Sequence, residues 1–238
     1  MVTGVLWDMQ SERHESGDLK YMTILPDGYD SGTRYPLVIM LHGFGANMQD
    51  LAGLAPAINS NGYVYACPNA PLPFDLGGGY TGWGWTPRGA DATPDDIHSA
   101  EGLLGGFFDQ VFPQFNIDPG QAILLGFSQG GGMTYRCGLE RNSSFAGLAA
   151  LSATLPDREI LSGKLPESRN QRIFIAHGRR DPTINIDRAE AAREFLQEAG
   201  YAPEYHEYDM GHEITSDVLS DLVPWLTQVL PPANQAPD

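Results

Sequence analysis

The chain has 238 residues, of which 42% are apolar and 18% charged, a length and balance suited to one large globular domain with a substantial core. A formal net charge of −16 argues against nucleic acid and anionic membranes as partners, because both repel an acidic surface. No run of roughly 18 apolar residues is present, so no stable membrane insertion is expected.

The opening segment MVTGVLWDMQSERHE has neither the basic n-region nor the apolar run of a signal peptide. The two cysteines, Cys67 and Cys137, fall in a strand-like and a helix-like run and read as reduced thiols. Both observations lead to an expected cytoplasmic location. Residues 1–230 read as a single domain, and the tail PPANQAPD (231–238) is expected to be disordered.

An early run, YMTILP (21–26), suggests the beginning of an antiparallel edge. Further apolar runs follow at 35–41, 62–68, 121–127, 145–151, 172–177 and 203–209. Several are apolar on both faces, as strands of a parallel sheet covered on both sides should be. Helical patterns lie between them. One opens at Thr93-Pro94-Asp95-Asp96, with a capping residue, a proline at the first helical position and acids in the first turn. A second opens at Asp187 with Glu190 as capping-box partner and stops at Gly200. A third runs from about Glu213 to Leu230, with a kink or break expected at Pro224. Alternating strands and helices imply an α/β fold: a doubly wound, mostly parallel sheet with helices on both faces. The connection from Pro68 to Thr93 shows neither period and reads as a long binding loop or lid.

In such a sheet, chemistry gathers at the carboxyl ends of the strands. Ser128 ends the run AILLGF and stands between Gly126 and Gly130, ahead of a helical segment. In a chain with 28 glycines a G-x-S-x-G pentapeptide alone carries little. The strand–turn–helix setting is what a nucleophile elbow requires, and its tight turn needs small flanking residues. A serine hydroxyl needs a general base, and the base needs an orienting acid. His212, in DMGHEI, follows the last strand, and Asp181, in HGRRDP, follows the strand before it. His206 reads as a strand residue, His177 as structural, His98 as surface, and His14 has nothing convergent around it. Asp187 reads as a helix cap and Asp209 as a strand-end residue. The order Ser128, Asp181, His212 is that of α/β-hydrolases. Two oxyanion donors are expected: the backbone N–H of Gln129, just after the serine, and that of Phe44 in LHGFGAN, with His42 bracing the loop. Trp83, Trp85, Phe74 and Tyr80 are expected either to line an acyl pocket or to pack down over the sheet edge. Arg179 and Arg180 read as solvated or salt-bridged.

The motifs LHGFGAN, YACPNAP, GFSQGG, HGRRDP and MGHE together resemble the phospholipase/carboxylesterase family of α/β-hydrolases over roughly residues 35–230. The resemblance implies that fold without a large cap domain, a Ser128–Asp181–His212 triad and an oxyanion hole at Phe44 and Gln129. It implies no cofactor and no metal, a small-molecule ester as substrate, and for many members a homodimer. The chain departs from the family at DLGGGYTGWGWTPRGADATP, where relatives commonly carry a tryptophan followed by Phe-Asp. The expected activity is that of a serine esterase acting on oxygen esters of short to medium acyl chains. Alternatives are an acyl-protein thioesterase or lysophospholipase for long chains, a small peptidase, and a non-catalytic ligand-binding relative. A dienelactone-hydrolase-like enzyme would carry cysteine where this chain has Ser128.

Overall fold

The computed structural model describes residues 9–233. In chain order the strands of its main sheet are β1 (Gln10–His14), β2 (Tyr21–Leu25), β3 (Leu37–Leu41), β4 (Val64–Pro68), β7 (Ala122–Phe127), β8 (Gly147–Leu151), β9 (Arg172–Gly178) and β10 (Glu204–Tyr208). A separate hairpin is formed by β5 (Leu72–Asp75) and β6 (Thr81–Gly84). The helices are α1 (Gln49–Ala52), α2 (Ala55–Ile58), α3 (Pro94–Gln114), α4 (Gln129–Glu140), α5 (Arg158–Ser162), α6 (Asp187–Glu198) and α7 (Ser216–Val229).

The eight strands pair in the order β1-β2-β4-β3-β7-β8-β9-β10. Every pairing from β4 to β10 is parallel, whereas β1–β2 and β2–β4 are antiparallel. The central strands are buried on both faces, which is why they read as unbroken apolar runs. Alternate residues feed two cores. Leu37, Ile39 and Leu41 join Leu104 of α3, Met133 of α4 and Leu196 of α6. Val38 and Met40 join Leu51 of α1, Ile58 of α2 and Trp225 of α7. The doubly wound expectation is met.

Local capping explains where α3 starts. The Thr93 side chain accepts from Asp96 N–H, and the Asp96 carboxylate accepts in return from Thr93 N–H at 2.9 Å. The antiparallel side of the sheet expected to begin at 21–26 is present as β2, with β1 pairing along its outer side; β1 escaped notice because four of its five residues are exposed and polar. Three expectations require correction. The 68–93 connection is not patternless, since Leu72–Asp75 and Thr81–Gly84 form a hairpin around Gly77, Gly78 and Gly79, all at positive φ. Asp187 does not cap α6; Ile186 holds that position without a side-chain hydrogen bond, and Asp187 is the first helical residue. Finally, α7 begins at Ser216 and continues through Pro224 to Val229. Buried Leu222, Trp225 and Leu226 hold it on the sheet despite the donor that proline lacks.

At the chain end, Pro232 is buried and Ala233 N–H donates to Gly62 O at 3.0 Å. The rest of the tail, 234–238, lies outside the described residues. Among the described residues no helix is long and apolar enough to cross a membrane.

Candidate active site

The carboxyl ends of β3, β7, β9 and β10 lie along one end of the sheet, with β8 between β7 and β9, and each leads into one part of the site. Ser128 follows β7 at φ 56° and ψ −118°, a conformation that L-residues avoid. Its N–H donates to Leu151 O at 2.9 Å, and its carbonyl accepts from Gly132 N–H as α4 begins. The flanking glycines are fixed by close approach. A Cβ at position 126 would stand 2.3 Å from Gly130 O, and one at position 130 would stand 2.1 Å from Leu41 O at the end of β3. The hydroxyl of Ser128 does not cap α4, so it is free to face the opposite loop.

That loop brings His212. His212 Nε2 lies 2.9 Å from Ser128 Oγ, and His212 Nδ1 lies 2.7 Å from Asp181 Oδ2. Phe127 packs against the imidazole at a centroid distance of 4.8 Å. The loops that carry Asp181 and His212 are stitched together. Arg179 N–H donates to Tyr208 O, Arg180 N–H to Met210 O, and the Arg180 guanidinium to Asp209 O. Arg179 also pairs with Glu207 and Arg180 with Asp209, as the salt-bridged reading of these arginines expects.

The Asp181 side chain is fully buried. Burial pushes its carboxyl upward, but N–H donors from Ile184 and Thr183 at 2.9 and 2.8 Å, together with His212, outweigh it and leave its pKa below the ordinary value. His177 has the structural place expected of it, its Nε2 donating to Ile184 O at 2.8 Å behind the same loop. His206 lies in β10, His98 is exposed on α3, and His14 in β1 bonds Thr23.

Phe44 and Gln129 flank the serine. Gln129 is the first residue of α4, where a backbone N–H has no intrahelical acceptor. Gly43 packs between Phe127 and Ser128, so the LHG turn approaches the serine closely and Phe44 follows directly. His42 braces this turn: its Nδ1 donates to Gly43 O at 2.8 Å and its Nε2 accepts from Ala70 N–H at 3.0 Å.

A cleft of about 520 Å³ opens over Ser128 and His212. Its apolar walls include Phe44, Ile97, Met133, Leu155, Pro156 and Ile184. The four aromatic residues expected to line it do not. Trp85 is buried: its indole N–H donates to His42 O at 2.9 Å and its backbone N–H to Gln129 Oε1 at 2.8 Å. The Gln129 amide in turn donates to Thr86 O and Oγ1. Trp85 thus ties the two candidate oxyanion loops together instead of walling the pocket. Trp83 lines a separate polar recess beside Arg13 and Asn69. Phe74 packs on the Phe44 ring from behind, and Tyr80 is exposed at the hairpin tip. Sequence reasoning missed the actual walls. Gly132 and Arg136, four and eight residues after Ser128 on α4, were the readable signal.

Both cysteines are free and buried. Among the described residues, no group of three or more His, Cys, Asp or Glu side chains is placed to hold a metal ion.

Residues 30–230 match the model of the phospholipase/carboxylesterase family. The chain is 30% identical to an acyl-protein thioesterase 1 of Neurospora crassa over 82% of its own length and 86% of that protein. It is likewise 30% identical to one of Mycosarcoma maydis, over 82% of this chain and 91% of the other. Among solved structures, the esterase PE8 superposes with a TM-score of 0.75 at 25% identity, covering 87% of this chain and 97% of that one. The sheet, its helical layers and these likenesses together make the chain a serine hydrolase with the α/β-hydrolase fold, and it belongs to the phospholipase/carboxylesterase family.

Proposed function

We propose that the protein hydrolyses carboxylic oxygen esters of short to medium acyl chains through Ser128, His212 and Asp181. One observation carries the reading: Ser128 Oγ, the two imidazole nitrogens of His212 and Asp181 Oδ2 stand in series at 2.9 and 2.7 Å, on the floor of an apolar cleft. Asp181 accepts from Nδ1–H, which leaves Nε2 as the basic nitrogen facing the serine.

As Ser128 Oγ attacks the acyl carbonyl, Nε2 takes its proton. The charge that develops on the carbonyl oxygen is met by the N–H groups of Phe44 and Gln129. His212, now a cation stabilised by Asp181, returns the proton to the departing alcohol. Water then enters and gives a proton to Nε2 as its oxygen attacks the acyl carbon; Nε2 passes that proton to Ser128 Oγ as the acid departs, restoring the starting state.

The test is kcat/KM for p-nitrophenyl esters from acetate to palmitate, with Ser128→Ala as reference. Loss of the nucleophile is expected to cost at least about 10⁴-fold, and wild-type rates in Ser128→Ala would refute the assignment. A peak at short or medium chains supports the carboxylesterase reading. A second reading, hydrolysis of long-chain thioesters, is favoured by the names of the two fungal relatives and predicts rates rising toward palmitate. Failure of wild-type protein to label with a fluorophosphonate would favour a ligand-binding role.

A further inference from the structure

We infer that the cleft selects esters bearing a second, negatively charged group, a carboxylate remote from the scissile bond, which Arg88 receives. The inference rests on the esterase reading and names its substrate class.

Charge distribution is the first argument. The chain has 30 acidic side chains against 14 Lys and Arg, about two acids for every base. The cleft inverts that balance. Arg88 and Arg136 line it, and no Asp or Glu does. Of the two, Arg136 is already answered: its guanidinium lies 3.3 Å from Glu101, which also holds Lys164 at 2.9 Å. Among the described residues, no carboxylate pairs with Arg88. Its guanidinium lies over the Phe44 ring, 5.8 Å from the centroid. Stacking on a ring leaves the N–H fork open to a planar acceptor. Phe44 is the residue assigned an oxyanion N–H, so this cation stands one side chain away from the reacting carbonyl.

Groove shape is the second argument. Ser128, Gly132 and Arg136 follow one another at four-residue spacing, so one face of α4 runs along the cleft beside the nucleophile. A Cβ on Gly132 would stand 3.5 Å from Thr154 O, an ordinary contact across the cleft floor. Met133, Ile97 and Leu155 give the cleft apolar lining that suits a methylene chain. A purely apolar chain would make no use of the exposed Arg88 guanidinium. A terminal carboxylate would form a charge-assisted pair there instead. Arg136 and Lys164 are together answered by Glu101 and Glu140, so Arg88 supplies the one unanswered positive charge among the described residues of the cleft, which suits a monoanion.

The experiment compares p-nitrophenyl hexanoate with the mono-p-nitrophenyl ester of adipate, and the octanoate with the suberate. Each pair differs only in a terminal methyl against a carboxylate. The readout is the charged-to-neutral ratio of kcat/KM in wild type and in Arg88→Gln. The ratio is expected to fall about tenfold in Arg88→Gln, and in wild type to fall as salt rises toward about 0.5 M. An unchanged ratio at both chain lengths would overturn the inference. Binding is read separately, by calorimetry of monomethyl adipate against methyl hexanoate on Ser128→Ala protein. Tighter binding of the charged ester, lost on adding Arg88→Gln, supports the subsite; equal binding overturns it. Because calorimetry needs no turnover, an absence of hydrolysis of every ester would count against the esterase reading alone.

Discussion

Replacing His42 with glutamine should flatten the acid limb of the stability curve. The His42 imidazole is buried at 1% exposure, and burial pushes its pKa down to about 4, only partly opposed by its bond to Gly43 O. The geometry says why. Nε2 must accept from Ala70 N–H, so a proton there would set two donors face to face. An unfolded histidine titrates near 6.5. The folded value is the lower one, so the folded protein binds fewer protons across the interval. The stability that depends on a neutral His42 is complete above about pH 6.5 and drains away as pH falls toward 4, because the unfolded chain takes up the proton first. A gap of roughly 2.5 pH units is worth about 3 kcal/mol, of which about 2.5 kcal/mol should be lost between about pH 7.5 and 4.5. Urea unfolding at those two pH values measures it in wild type and His42→Gln. Asp181 and the other carboxylates titrate in both proteins and cancel in the difference. Wild type should lose about 2.5 kcal/mol more than the variant. Parallel losses in the two proteins would refute the reasoning, as would an imidazole nitrogen shift showing His42 protonated at about pH 5.5 in the folded state.

The remaining predictions concern the site. Gly130→Ala puts a methyl 2.1 Å from Leu41 O, so unfolding stability should fall by about 1–3 kcal/mol and ester hydrolysis with it; wild-type stability by urea unfolding would contradict the close approach. Trp85→Phe removes the indole donor to His42 O and should cost about 1–3 kcal/mol of stability, with kcat falling more than KM changes; a pure KM effect would mean that Trp85 touches substrate after all. Asp181→Asn removes the acceptor for His212 Nδ1–H and should lower kcat by about 10⁴-fold while leaving fluorophosphonate labelling slow but measurable; an unaffected kcat would remove Asp181 from the mechanism.

The sheet was legible because its parallel strands are buried on both faces and so declare themselves as apolar runs. The motif residues were legible because each ends one of those runs: Gly126 to Gly130 after β7, Asp181 after β9, and His212 after β10. What escaped notice had no such signature. The edge strand β1 reads QSERH, with nothing to bury, and shows itself only through its pairing with β2. The β5–β6 hairpin turns on three consecutive glycines, which look like slack in a sequence and prove to be a turn. Trp83 and Trp85 differ by two positions and are identical in chemistry. Only the fold sends one to a polar recess and the other beneath the serine loop. Arg88 and Arg136 lie 48 positions apart along the chain, and their shared cleft is a property of how α4 and the loop before α3 come together.

The order of the strands also bears on when activity can appear. From β3 onward the sheet grows outward in chain order through β7, β8 and β9 to β10, and the loop after β10 carries His212. Ser128 and His212 are separated by 84 positions, so no local nucleus brings them together. A chain folded only through β9 holds the serine turn, the two glycine contacts and five parallel strands but not His212, the base of the proposed triad. On the proposed triad, hydrolysis therefore waits for β10 and the loop after it, and in refolding its return should trail the return of core tryptophan fluorescence, which makes turnover a reporter of a late docking step.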